Sequence, residues 1–469
     1  MNIASKFGKP RIGFLGLMTD GYEPIFPGIT ARQENYMRKV IESLSDFIEG
    51  HFLGAGLNRP RIEEIVRKYN EMDLDGILIT LLTYSQGSWI IRALQDNRLP
   101  IAVAIIQQDR TVGNNWEEID LTVNQGLHGA QDNCNTIVRM GIPAEFFAGD
   151  WETQRFKTFI EDFGKAAATK RFLRRMRVAV MGKMPGMNDI LADEMAVFKK
   201  LGPEYIHDTL GNVYRNMEAV KKEEIDARIK IDKEIFDVDP KLSYESHAYA
   251  VRFYLGLKKY LTDGHFDAFT IHFDTVSCDG RFKQLPLMAA SHLMAEGYGY
   301  AAEGDSLCAS MVAAAHCLGD GRANFTEMYT MDFDRKAIIF CHAGEGNWAT
   351  STKKFKPRLI DRYLGEGGLD NPPTIMFLPE PGEATLVSLV PLSGEKFRLV
   401  VGYGSILDRY DMENCEMPYL FFKFDKPIQT CIEKWLKLGG THHEAITFGD
   451  TRDRWKMLCE ILDIEYCEV

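Results

Sequence analysis

The sequence has no cysteine pair at CxxC spacing, no apolar run of bilayer length and no excess of basic residues, and each absence removes a class of function. Its nine cysteines are odd in number and scattered, so they fit neither a zinc site nor the disulfide framework of a small secreted domain; a reducing cytoplasm is expected. The start, MNIASKFGKPRIGFLGL, lacks the charged region, apolar region and small-residue cleavage site of a secretory signal. No stretch has the length that spans a bilayer, so no membrane is expected. With 55 Lys and Arg against 67 Asp and Glu, the formal net charge is -12. A polyanion would meet net repulsion, which excludes nucleic acid as the expected partner and leaves small metabolites. A dinucleotide GxGxxG, a GxxxxGK[ST] phosphate loop and a GxSxG elbow are also missing.

What is present is an ordinary globular composition, 45% hydrophobic and 26% charged, over 469 residues, enough for two to four domains. Arg11 to Leu17, Gly76 to Leu82 and Ile101 to Ile106 are apolar throughout and alternate with amphipathic stretches. Strands of that kind are covered on both faces, which predicts a parallel sheet flanked by helices. Thr30 followed by Gln33 resembles a capping box opening a helix through Phe47. A charged helix, about Glu152 to Arg175, marks a junction, after which Arg177 to Met181 starts a second α/β unit with a turn GKMPGMND. The polar stretch Val220 to Asp239 reads as a solvated helix. Beyond Phe333 the β-rich runs follow one another without helices, which predicts an antiparallel sandwich or barrel. The expected fold is therefore α/β: an N-terminal α/β domain over 1–175, a central α/β domain over 176–326, both Rossmann-like with parallel sheets, and a C-terminal antiparallel β domain over 327–469.

Three potential ligands, Glu303, Glu327 and His342, stand among small and apolar residues in GYGYAAEGDS, NFTEMYT and AIIFCHAGEG; a fourth lies in the pair His442–His443 of GGTHHEAITF. Two carboxylates with imidazole suit a borderline-to-hard ion such as Mn²⁺, Co²⁺ or Mg²⁺. An aldose–ketose interconversion needs a base at C2 and a route for the proton to C1, and two flanking carboxylates supply both. Taken singly, each of these residues is as readily a cap, a loop carboxylate or a strand histidine. Adjacent histidines on regular backbone diverge, so one of the pair is expected as ligand and the other as a support or substrate contact. Asp305 either orients a ligand or caps the next helix. Tyr84 and His128 stand where a parallel strand ends and a helix begins, the edge where open α/β sheets bind ligands.

These residues resemble the L-arabinose isomerase family. The likeness runs in order through GILITLLTYSQ, NQGLHG, KQLPLMAASHLMAEGYGYAAEGD, the glutamate of NFTEMYT, the histidine of IIFCHAGE, GEGGLDNPP and GGTHHEAITF. The resemblance implies an aldose–ketose isomerase in which Mn²⁺, with Co²⁺ or Mg²⁺ as substitutes, is held by Glu303, Glu327, His342 and His443. The two glutamates would move the proton through an enediol. It also implies a homo-oligomer, trimeric or hexameric, in which Tyr84 and His128 reach the sugar from a neighbouring subunit; Met18, in a loop that departs from the family, and His442, beside the ligand His443, are expected as further substrate contacts. Departures stand beside the likeness: Ser306 and Leu307 replace the family's tryptophan and lysine, Ala343 follows the metal histidine, and the first strand ends in LMTDGYEP in place of a glutamine-bearing loop. The proton chemistry keeps its groups while the pocket for the sugar's far end is expected to differ. Epimerisation of a sugar or sugar acid, or a non-catalytic sugar-binding role, are the alternatives.

Overall fold

The computed structural model describes residues 7–365 and 368–469, which divide into two compact units. Residues 1–6 of the opening stretch and Glu366–Gly367 of GEGG lie outside the described residues. One unit comprises Gly8–Arg171 and Asp453–Asp463; the other is built on Phe172–Arg452 and Ile464–Val469.

In the first unit β1 (Arg11–Leu17), β2 (Glu49–His51), β3 (Gly76–Leu81), β4 (Ile101–Ile105) and β5 (Ala144–Ala148) form one sheet in the order β2-β1-β3-β4-β5. All pairs are parallel. The apolar runs behave as their composition requires. Ile12, Phe14, Leu78 and Ala102 belong to the core on one face, while Leu15, Ile77, Ile79 and Val103 belong to the core on the other. The helix Ile29–Ser43 departs from the expected capping box. Its N-cap is Gly28, and Thr30 is bound through its N–H and hydroxyl to Glu23. Gln33 is fully buried instead, donating to the carbonyls of Leu82 and Val123 at 2.6 Å each. An inward amide that binds two chain segments outweighs a local cap. The unit also holds part of the late helix Arg452–Leu462, whose Met457 and Ile461 pack on the first core while Arg454 meets Asp162 at 2.6 Å.

The larger unit starts with a second parallel sheet: β6 (Arg177–Met181), β7 (Glu204–His207), β9 (Ala268–Ile271) and β10 (Gly299–Ala302), in the order β10-β9-β6-β7. Seven further strands make the antiparallel part: β11 (Ala323–Asp332), β12 (Ala337–Cys341), β15 (Gly382–Pro391), β16 (Phe397–Ile406), β17 (Tyr419–Phe424), β18 (His443–Phe448) and β19 (Glu465–Glu468). Their order, β15-β18-β11-β12-β17-β16, is closed by pairing of β15 with β16, so the expected sandwich or barrel is a six-stranded barrel. The strand β19 joins β16 in parallel. A small sheet of β8 (Asp237–Val238), β13 (Arg358–Asp361) and β14 (Pro373–Met376) completes the described strands. Alternation along the barrel strands separates two faces. Phe340, Leu386, Val400, Leu420, Phe422 and Ile446 share one core with Trp435 of the helix Ile428–Leu438, and Glu327 and His443 project from the opposite face.

The helix Lys222–Ile235 is more than a solvated segment: it buries Asp232, whose carboxylate meets Arg228 at 2.6 Å and His247 at 3.0 Å. His292 joins this cluster, accepting from the Trp348 indole at 3.2 Å. Burial lowers the His292 pKa to about 3, so the folded protein keeps it neutral. Folding thus opposes its protonation, and its contribution to stability is complete above the unfolded value of about 6.5 and lost as the pH falls toward 3. Replacing His292 with Gln is expected to flatten the fall of unfolding free energy over that window, measured by urea denaturation at a series of pH values.

Gly299 opens the strand that leads to Glu303, and a Cβ there would stand 2.2 Å from the Ala309 carbonyl and 2.7 Å from Ala313 Cβ. Gly299→Val should push the strand off its helix and cost at least about 1–3 kcal/mol, seen as a lower Tm with loss of any activity that depends on Glu303.

Candidate active site and metal centre

Glu303 comes directly after β10 and adopts φ 63°, a left-handed conformation that costs an ordinary residue about 1–2 kcal/mol. Hydrogen bonds on all sides hold it there. Its N–H donates to Ile271 at 3.1 Å and its carbonyl accepts from Met184 N at 2.8 Å. The next residue, Gly304 (φ 88°), donates to Thr270 Oγ1 at 2.9 Å, and a Cβ on it would lie 2.4 Å from the Gly182 carbonyl and Lys183 Cα. Strand, two left-handed residues and helix therefore follow without slack, and Glu303 is turned out of the sheet at its C-terminal edge.

The barrel supplies the opposite wall. In the ladder of β11 and β18, Glu327 pairs directly with His443, which puts both side chains on the outer face. A bulge follows in β11 between Met328 and Thr330. His342 lies just past the end of β12, its ring edge-on to His443 at 5.7 Å, and the Phe325 ring packs on both with centroids at 4.8 and 4.9 Å. His442 lies just before β18. It is therefore free of the strand's alternation, and it does not diverge from His443: both Nε2 atoms face the two glutamates. Donor atoms of Glu303, Glu327, His442 and His443 all lie within 4.8 Å of one another. His443 Nε2 is 3.2 Å from Glu327 and 3.5 Å from Glu303, while His442 Nε2 is 3.6 Å from Glu327. His342 Nε2 stands farther out, 3.9 Å from the other oxygen of Glu327.

Each imidazole is held from behind by its own carboxylate on Nδ1. His443 meets Asp305 at 3.0 Å, His342 meets Glu345 at 2.8 Å, and His442 meets Asp189 at 2.6 Å. The Tyr300 hydroxyl donates to the remaining oxygen of Glu345 at 2.7 Å. Such pairs fix the ring and present Nε2 to the site. Asp305 performs both of its expected roles, because its other oxygen accepts from Cys308 N at 2.9 Å and caps the helix Ser306–Leu318.

Charge follows from this arrangement. Burial alone would raise the Glu303 pKa, but His442 and His443 beside it hold it well below the usual carboxylate range. Burial alone would lower His443, but Asp305, Glu303 and Glu327 raise it well above the ordinary imidazole value. His442 is likewise raised, to about 9, with Asp189 and Glu303 overcoming its burial. Three imidazoles thus face Glu303 and Glu327 with Asp189, Asp305 and Glu345 behind them, an excess of acidic groups that favours a bound cation. Glu303 Oε2, His442 Nε2 and His443 Nε2 are buried and lack hydrogen-bond partners. Inward-facing, unpartnered oxygen and nitrogen donors fit a divalent metal of the Mn²⁺ type.

The profile of the L-arabinose isomerase central domain matches residues 190–321 and that of the L-arabinose isomerase C-terminal domain matches residues 322–465, together more than half of the sequence. The chain belongs to the L-arabinose isomerase family. It is an intramolecular oxidoreductase, an aldose–ketose isomerase. L-arabinose isomerase 1 of Bacillus licheniformis is 29% identical over 399 residues, covering 83% of this chain and 79% of that protein. The L-arabinose isomerase of Clostridium beijerinckii is 26% identical over 443 residues, covering 90% and 89%. Among solved structures, a periplasmic solute-binding protein from Actinobacillus succinogenes with bound D-allose is 11% identical with a TM-score of 0.17, too low to carry any inference.

The other sequence-predicted residues lie in the first unit. Met18, just past β1, is fully buried in its core. Tyr84, just past β3, packs on His128 at a ring distance of 4.8 Å and donates to Asp132 at 3.1 Å. In the order β2-β1-β3 the connections leave β1 and β3 in opposite directions, so Met18 and Tyr84 flank the switch point where such sheets form a crevice. Sequence reasoning missed Asp189, Glu345, Tyr300 and Glu444. The HxxE spacing of His342 and Glu345 was a usable signal. Asp189 gave none, being 253 residues from its partner. Glu444 follows His443 but faces the barrel interior, fully buried with neither carboxylate oxygen hydrogen-bonded, and burial pushes its pKa well above the usual carboxylate value.

The double role of Asp305 separates in two substitutions. Asp305→Ala should lower stability by about 1 kcal/mol through the lost cap and weaken Mn²⁺ binding about 10–100-fold. Asp305→Ser should recover the cap, seen in Tm, but not the Mn²⁺ affinity measured by calorimetric titration of metal-free protein.

Proposed function

We propose that this isomerase interconverts an aldose and its ketose by moving one proton between C2 and C1 with Glu303 and Glu327. The observation that carries the reading is the convergence of these two carboxylates, from a sheet edge and a barrel face, between imidazoles whose outer nitrogens are already taken. Glu303, Glu327, His342 and His443 would hold Mn²⁺, or Co²⁺ or Mg²⁺ in its place, with His442 left for a sugar oxygen. When bound, the ion supplies a positive charge that stabilises negative charge developing on the sugar oxygens.

One of the two glutamates takes the proton from C2 of the open-chain aldose. The C–H electron pair becomes the C1–C2 double bond as the carbonyl electron pair moves onto O1, which takes a proton from the other glutamate in its carboxylic acid form, giving the enediol. Return of the first proton to C1, with the O2 proton passing back to that second carboxylate, leaves the carbonyl at C2 and each glutamate as it began. The low pKa of Glu303 keeps it ionised at neutral pH, as a proton acceptor requires. Of the four groups only His443 is a buried residue; Glu303, Glu327 and His442 are partly open to solvent, so deuterium from the solvent can reach the moving proton.

Tyr84 and His128 would shape the far end of the sugar pocket by reaching the site of a neighbouring subunit in a trimeric or hexameric assembly, whereas Met18, fully buried, packs in the core of its own unit. Ser306, Leu307 and Ala343 leave the identity of that sugar open. No helix among the described residues is long and apolar enough to cross a membrane, and the odd, scattered set of cysteines in the sequence accords with a cytoplasmic location.

Glu303→Gln and Glu327→Gln should each lower kcat by at least about 10²-fold with an unchanged Tm, measured on a panel of neutral and acidic aldoses with Mn²⁺. Turnover in D₂O should move the carbonyl and permit label at C1 of the ketose. Product with an unmoved carbonyl would instead favour epimerisation, and full activity of both variants would refute the assignment.

A further inference from the structure

We infer that Asp189, in the loop after β6, is a positioning residue that makes His442 a working member of the active site; this rests on the isomerase reading above. His442 lies outside β18, so no ladder bond orients its ring. A single oxygen, Asp189 Oδ2, does so by accepting from the His442 backbone N–H at 3.1 Å and from Nδ1 at 2.6 Å. A carboxylate that accepts two N–H bonds is ionised, and hydrogen bonding from His442 holds the Asp189 pKa down at about 2. With backbone and ring fixed to one oxygen, Nε2 is aimed at Glu327, 3.6 Å away, and at Glu303, 4.0 Å away. Nε2 is buried and has no hydrogen-bond partner, so the restraint serves a contact that a sugar oxygen or the metal would complete.

Asp305 and Glu345 belong to the segments that carry Glu303 and His342, but Asp189 comes from the loop after β6, two strands away from β10 in the parallel sheet. Its loop is registered against the reacting carboxylate. The Met184 N–H donates to the Glu303 carbonyl at 2.8 Å, and Gly182 sits so close to Thr275 that a Cβ would lie 2.0 Å from its hydroxyl oxygen. Through Met184 and Asp189 the same short loop holds Glu303 from its backbone and His442 from its side chain. A movement of the loop therefore shifts a carboxylate and an imidazole of the site together.

The test separates positioning from folding. Asp189→Ala is expected to reduce kcat/KM about 10–100-fold with an unchanged Tm, and Asp189→Asn, which keeps an acceptor oxygen, to recover most of it. His442→Ala should cost as much, and the double variant Asp189→Ala/His442→Ala no more than either single change. Losses that multiply in the double variant, or wild-type kcat/KM in Asp189→Ala, overturn the inference. On metal-free protein labelled with ¹⁵N-histidine, the downfield Nδ1–H signal of His442 should vanish in Asp189→Ala and persist in Asp189→Asn; a signal unmoved by Asp189→Ala also overturns it. That spectrum needs neither substrate nor turnover, so it judges the Asp189–His442 pair separately from the isomerase reading, which Glu303→Gln judges.

Discussion

A buried imidazole can offer a ligand only one nitrogen in a defined direction, and only if the other nitrogen is occupied. That constraint organises the site. His342, His442 and His443 each give Nδ1 to a carboxylate, and the three Nε2 atoms turn toward Glu303 and Glu327. The carboxylates behind the rings favour the charged imidazolium, yet with Glu303 and Glu327 they make five carboxylates against three imidazoles. The site retains an acidic excess, the condition under which a cation is drawn in and a carboxylate remains available as a base.

Two unlike pieces of fold are needed to meet that constraint. A parallel sheet presents side chains at its C-terminal edge, and Glu303 leaves β10 there in a strained conformation locked by three neighbouring hydrogen bonds. An antiparallel ladder presents them directly opposite one another, which is how Glu327 and His443 meet without any loop. The first arrangement is stiff because the backbone is over-determined, the second because the register allows no slip without turning a row of side chains to the wrong face. Neither alone would bring two carboxylates and several imidazoles to one point.

The sequence showed the parts of this that depend on local pattern. Apolar runs predicted the parallel strands because strands buried on both faces need no alternation, and the runs at Arg11, Gly76, Ile101 and Arg177 are β1, β3, β4 and β6. Glu303, Glu327 and the histidine pair stood out by residue type and by the order of their motifs. Illegible were the relations set by tertiary packing: closure of the barrel by β15 and β16, inward turning of Gln33 from a position that reads as a cap, and the pairing of His442 with Asp189 across 253 residues. Expecting adjacent histidines to diverge was sound for a strand and failed because His442 lies just outside one.

The same ladder that aligns Glu327 with His443 also forces their neighbours inward. Alternation along β18 sends Glu444 to the face opposite His443, across from Thr326, where it is fully buried without a hydrogen bond to either oxygen. An ionised carboxylate there would carry a desolvation cost of several kcal/mol, and burial pushes the Glu444 pKa well above the usual carboxylate value. Its position is a consequence of register: to place His443 outward at this point of β18 is to place residue 444 inward. A charged Glu444 would add a further anion behind His443 and Glu327 and compete for the imidazole from the opposite side. With its ionisation opposed by burial, it leaves the field at the site mainly to the carboxylates on the outer face, whose distances to the imidazoles are set by the fold.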